Sequence, residues 1–162
     1  MSRMLRLLAL SVLLVLPPVA TAIAQDSSYI KVPNEEPEMA AAKAKARATL
    51  GQFWEKLDTP GPEDSGFALK VAIPYGNNNS TEHIWTKDVE RKDGKIFAVI
   101  NNVPRDAKTI RLGQRIEVAD NQISDWLYMR AGKMVGNHTL RPLLKRMPPK
   151  DAERYRAMLA DP

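Results

Sequence analysis

Apolar residues in the first third of the chain recur at helical spacing. Met39, Ala42, Ala46, Leu50, Phe53, Trp54 and Leu57 fall on one stripe. Asn34 stands where an N-cap is needed, Glu35, Glu36 and Glu38 follow in the first turns, and Lys43, Lys45 and Arg47 come later. That order suits the helix dipole. The pattern predicts one amphipathic helix ended by Pro60-Gly61-Pro62 and laid over a sheet.

The period then changes to two. Phe67, Leu69, Val71, Ile73 and Tyr75 alternate with smaller or polar neighbours, as in a half-buried strand. Gly76-Asn77-Asn78-Asn79 is a turn signal, residues 81–91 read as the antiparallel partner, and Asp93-Gly94 predicts a hairpin into residues 95–101. Residues 96–100 are apolar on both faces, which predicts a central strand, and Val103-Pro104 breaks it. Ile116 and Val118 mark a fourth strand around 114–119, and residues 123–130 form a fifth. After the turn at Ala131-Gly132, a short extended piece leads to a helix over about 140–146, with Pro142 tolerated in its first turn. Pro148-Pro149 precedes a last helix over 150–160, with Ala152, Tyr155, Met158 and Leu159 on one side. The expected class is α+β: an antiparallel sheet of about five strands, covered by the N-terminal helix, with two short C-terminal helices.

The head of the chain has a different character. Arg3 and Arg6 precede an uncharged apolar run over 7–16, Pro17-Pro18 ends it, and Ala22-Ile23-Ala24 offers small residues for cleavage. This is the order of a cleavable export signal. The run is shorter than the ~20 residues of a spanning helix. The expected organisation is a signal peptide over 1–24 cleaved after Ala24, an extended lead-in over 25–33, and one domain over 34–162. The protein is then periplasmic or secreted, without a permanent membrane anchor. It has no cysteine, so neither a disulfide nor lipid attachment through a thiol is open to it.

Removing the leader lowers the net charge from +5 to +3, since positions 1–24 hold two arginines and no acid. From Arg130 onward, eight Lys or Arg face three acids, a basic tail that suits an anionic partner or is simply a solvated helix surface. An exported chain of this kind argues against nucleic acid as a partner.

Candidate chemistry is concentrated late in the chain. Alternation sets Asp125 beside Ile123, Leu127 and Met129, with Ser124, Trp126, Tyr128 and Arg130 pointing the other way. A carboxylate on an apolar face must be paired, protonated or hydrogen-bonded, so Asp125 either caps backbone N–H groups or serves as a base or ligand. Trp85 reads as core beneath the first helix. Trp126 fits either core or an exposed platform, and Tyr128 fits core with its hydroxyl at the rim. Gly136-Asn137-His138-Thr139 precedes a helix, with Lys133 and Arg141 near, which is the composition of an anion site or of an ordinary helix cap. The expected ligand-binding surface is Trp126, Tyr128, Lys133, Asn137 and Arg141.

A second polar grouping is His83, Asp125 and His138, to which Glu82 could add a carboxylate. No paired-histidine helix motif is present, and strand period puts Glu82 and His83 on opposite faces. No metal, no cofactor and no catalytic residue is therefore assigned. Gly-x-Ser-x-Gly is absent as well.

Phe53, Phe67-Ala68-Leu69-Lys70, Glu82-His83-Ile84-Trp85, Asn101-Asn102-Val103-Pro104, Ile123-Ser124-Asp125-Trp126-Leu127-Tyr128 and residues 132–143 together resemble the YegJ-like family of bacterial proteins (domain of unknown function 2314). The resemblance runs from about residue 41 to 147. It implies a small stand-alone domain, sometimes exported, and supplies no catalytic residues. The function expected from the whole sequence is a monomeric, exported, non-enzymatic binding module for a protein or envelope component. The alternative is a small metal-dependent or acid/base hydrolase using Asp125, His83 and His138.

Overall fold

The computed structural model describes residues 36–78 and 80–160. The expected signal peptide and lead-in, with Asn34 and Glu35, lie outside the described residues. Two helices, α1 (Pro37–Ala48) and α2 (Leu50–Asp58), precede strands β1 (Asp64–Tyr75), β2 (Ser80–Lys92), β3 (Lys95–Ile100), β4 (Arg115–Val118), β5 (Ile123–Arg130) and β6 (Lys133–Gly136). A short helix α3 (Leu140–Leu143) runs into a 3-10 turn (Leu144–Arg146), and α4 (Pro149–Met158) follows. All strand pairings are antiparallel, in the order β4-β3-β2-β1-β5-β6. The protein is α+β, as its periodicities predict. No helix among the described residues is long and apolar enough to cross a membrane.

Several details differ from the sequence reading. The sheet has six strands, because the extended piece after Ala131-Gly132 pairs with β5 from Leu127↔Gly136 to Arg130↔Lys133. β3 is an interior strand but lies next to the edge, and β2 and β1 are the central pair. The predicted first helix is broken at Thr49, whose hydroxyl lies 2.8 Å from the Lys45 carbonyl and 3.3 Å from that of Ala46. A side chain that competes for helix carbonyls in this way bends or ends the element. Met158 is exposed, whereas Ala152 and Leu159 are buried.

Two apolar clusters form on the two faces of β5. On one face Phe53 of α2 meets Phe67 and Trp126 at ring distances of 5.8 and 5.9 Å, and Tyr128 stacks on Phe67 at 5.2 Å. Leu69, Val71, Ile84, Ala98 and Ile100 continue this core. Full burial of Phe53 alone contributes about 1.5–3 kcal/mol. On the other face Leu127 and Met129 pack against Met134, Leu140, Leu144, Ala152 and Leu159. The chain closes on itself here: Leu159 bridges to Met134, and Ala160 N–H donates to the Met134 carbonyl at 2.8 Å, along the outer side of β6.

The long connection between β3 and β4 is tied down by one buried carboxylate. Glu82 accepts N–H bonds from Arg105, Asp106 and Ala107, each 2.8 Å. Burial pushes its carboxyl up, but these three donors outweigh that and hold it below the usual range. A carboxyl depressed in the folded state adds stability above its unfolded value, 4.5, and loses it as pH falls through the folded one. Glu82→Gln is expected to cost about 2–3 kcal/mol at neutral pH, since an amide accepts these donors with one atom only. The difference should shrink as pH falls below 4.5 and through the lower folded-state value, where the wild-type carboxyl takes up its proton as well. Hydrogen exchange at residues 105–107 reads the effect directly; unchanged protection there would show that the loop does not hang on Glu82.

Candidate functional site

Asp125 sits opposite Lys70 in the β1–β5 register and is 0% exposed. Its Oδ1 accepts from Trp126 N–H (2.8 Å) and His138 N–H (3.1 Å). Its Oδ2 accepts from Thr139 N–H (2.7 Å) and the Thr139 hydroxyl (2.6 Å). Gly136 and Asn137, at φ +81° and +49°, turn the chain so that these N–H groups meet the carboxylate. Asp125 therefore caps backbone, and Arg141 is not its partner: one guanidinium Nη donates to the Ala160 carbonyl at 3.1 Å.

The polar contacts continue across the sheet. Lys70 Nζ donates to the Thr139 hydroxyl at 2.7 Å and lies 4.7 Å from the centre of the Trp85 ring. Burial lowers the Lys70 ammonium, and the nearby Asp125 charge opposes that shift. The Ser124 hydroxyl donates to the Lys70 carbonyl at 3.0 Å and stands 2.8 Å from His83 Nδ1. Burial holds His83 down at about 4, with Lys43, Lys70 and Arg47 adding repulsion, so the ring is neutral at neutral pH. Ser124 touches a neutral imidazole as a nucleophile would, but it is fully buried and its hydroxyl is held by a strand carbonyl. His138 Nε2 lies 3.2 Å from the Thr49 hydroxyl, and its Nδ1 is buried without a partner. These groups weld β1, β2, β5 and the turn before α3. Among the described residues no group of three His, Cys, Asp or Glu is placed to hold a metal ion.

The surface expected from Trp126, Tyr128, Lys133, Asn137 and Arg141 is not assembled. Trp126 is 1% exposed and its indole N–H donates to the Ala46 carbonyl of α1 at 2.9 Å; Tyr128 is buried beside it. Asn137 is buried, with its amide 3.4 Å from the Met134 sulfur. Lys133 donates to the Ala157 carbonyl, so it and Arg141 both fasten the C-terminal segment. The expectation of Trp85 as core is not met, and of the two readings open for Trp126 the structure has core. Trp126 is core, and Trp85 is half-buried on the opposite face, because it pairs with Lys70 while Trp126 pairs with Leu69.

A different feature has the form of a site. β1 and β2 pair from Tyr75↔Ser80 to Lys70↔Trp85, and there the ladder stops. Beyond it β1 pairs with β5, and β2 pairs with β3. At the point of separation the Thr86 hydroxyl takes the place of a strand partner: it accepts from Leu69 N–H (3.3 Å) and donates to the Leu69 carbonyl (3.0 Å). Past that rung each strand carries a register shift, between Ser65 and Ala68 in β1 and between Lys87 and Glu90 in β2. Gly66 (φ +61°) and Asp88 (φ +50°) lie within them. Bulges bend and twist the strand that carries them, and these two face each other across the split.

The split encloses a cleft of about 530 Å³. Residues 66–68 form one wall and residues 85–89 the other; Leu57 of α2 and Leu127 of β5 line it as well, and Asn101-Asn102 stand at its margin. Its volume is that of a ligand pocket. Segments that carry the family resemblance meet here: Phe67-Ala68, Trp85, Asn101-Asn102 and Leu127. The sequence holds little signal for the first bulge, since Gly66 stands just before the alternating run that opens at Phe67. Asp88 gave none, because a polar residue near a hairpin end fits regular pairing equally well.

The chain matches, over residues 36–160, a family described as "Uncharacterized protein conserved in bacteria (DUF2314)". It is 33% identical over 121 residues to the uncharacterized protein YegJ of Escherichia coli (strain K12), covering 75% of this chain and 76% of that protein. It is 26% identical over 129 residues to a putative ankyrin repeat protein of Neisseria meningitidis serogroup B, covering 75% of this chain and 51% of that protein. No solved structure matches.

Proposed function

The chain belongs to the DUF2314 family of uncharacterised bacterial proteins, and from that premise we propose that it is an exported, non-enzymatic binding module that receives a protein or envelope component in the cleft between β1 and β2. The observation that carries this reading is the parting of two central strands around a space of ligand size whose walls mix apolar and polar residues. Val103, which follows Asn102 in the chain, is an apolar residue left 75% exposed. Export is supported by the basic start, the uncharged run over 7–16 and the small residues before Gln25. The hydrolase reading has weaker support, because the hydrogen bonds of Asp125 are taken up inside the fold and Ser124 is sealed from solvent.

In bacteria expressing the protein, the mature chain is expected in the periplasm beginning at Gln25. A photo-crosslinking residue at Lys87 or Asn102 should trap a partner that the same residue at Glu153 of α4 does not. A chain retained in the cytosol with its leader intact would overturn export. Equal capture from both places would remove the cleft as the binding site.

A further inference from the structure

We infer that the occupant of the cleft is an extended peptide segment of a partner protein, bound by adding its backbone to the parted strand edges of β1 or β2; the inference rests on the binding-module reading above. Residues 64–69 of β1 use one side for β5, and residues 86–92 of β2 use one side for β3, while among the described residues no backbone ladder joins the two sides that face each other. A strand edge presents N–H and C=O groups at strand spacing and is a template for another strand. The Thr86–Leu69 contact shows the same edge already satisfied once by a group from outside the ladder, a side-chain hydroxyl.

The walls fit such a ligand. Leu57, Phe67, Val89 and Leu127 offer apolar contacts, which suits the alternating side chains of an extended segment. Lys87 and Asp88 are adjacent, exposed and opposite in charge, so neither sign of ligand is favoured and recognition falls to backbone pairing. Strand addition of this kind draws affinity from main-chain hydrogen bonds and specificity from pockets for alternate side chains.

The test uses short linear peptides enriched on the purified protein from a displayed random library. Binding should slow amide exchange at residues 66–68 or 87–89 of the wild-type chain. N-methylating every second peptide amide should weaken binding about tenfold or more in one register and be tolerated in the other, as follows from losing the bonds of one strand edge only. No enriched peptide, unchanged exchange in both walls, or equal tolerance of both methylation registers would each overturn strand addition. If a partner is still crosslinked specifically at Lys87 or Asn102, those results remove the peptide-strand inference and leave the binding module. If crosslinking is equal everywhere as well, both fall.

Discussion

Gly136→Ala is expected to destabilise the domain by about 3–5 kcal/mol, a large share of the roughly 5–15 kcal/mol that holds an ordinary domain folded. A Cβ there would stand 2.5 Å from the Trp126 carbonyl oxygen and 2.6 Å from two carbons of its ring. Neither obstacle can give way. The carbonyl already accepts from Asn137 N–H at 2.8 Å, and the indole is fixed by Phe53, His138 and its bond to Ala46. The backbone adds its own cost, since φ +81° disfavours any L side chain. Gly132→Ala is the control. It has φ +76° but nothing within 4 Å of the added carbon, so it should lose only about 1–2 kcal/mol of conformational strain. Thermal or denaturant unfolding of the two variants side by side separates contact from conformation. Equal losses would show that β6 and β5 can part to admit a methyl group.

Asp125→Asn should be nearly as damaging, at about 2–4 kcal/mol, with a fall in melting temperature of about 10 °C. The side chain keeps its shape, but its NH₂ must point at donors that now meet a carboxylate: Trp126, His138 and Thr139 on the backbone, and the Thr139 hydroxyl. Leaving buried donors unmatched costs more than losing a hydrogen bond at the surface. The Lys70 ammonium, buried next to Thr139, would also lose the charge that favours it. Stability close to wild type would instead mean that the carboxylate is kept for something other than architecture.

The strands were legible wherever a turn signal framed an alternating run. β5 was read with its observed ends, and Asp93-Gly94 placed the β2–β3 hairpin, where both residues take positive φ (+52° and +74°). The four-residue β6 reads only as a short extended piece, because its pairing with β5 is a matter of backbone, with too few side chains to show a period. Alternation correctly set Asp125 apart from Trp126 and Tyr128. Which of the two faces α2 covers depends on contacts between Phe53 and residues far along the chain, and the indole's partner, Ala46, lies 80 positions away. The break at Thr49 is hidden for a related reason: the apolar stripe continues through it, while the hydroxyl that turns back onto the Lys45 and Ala46 carbonyls leaves no mark on the pattern. The Asn137–Thr139 turn reads as a helix entry that is either an anion site or an ordinary cap; in the structure its N–H groups are taken up by the Asp125 carboxylate, and no side-chain cap forms on α3.

The bridge from Leu159 to Met134 bears on how this sheet behaves in a crowded compartment. An uncovered outer strand invites a second copy of the same chain to continue the sheet, the first step towards aggregation. Here the C-terminal residues lie along β6, and Ala160 takes up the Met134 carbonyl that such a copy would seek. At the opposite margin β4 is only four residues long and carries Arg115 and Glu117, each engaged with a charged neighbour on β2 or β3. Self-propagation is thus discouraged at both margins, and trimming the last few residues would turn a closed border into a sticky one.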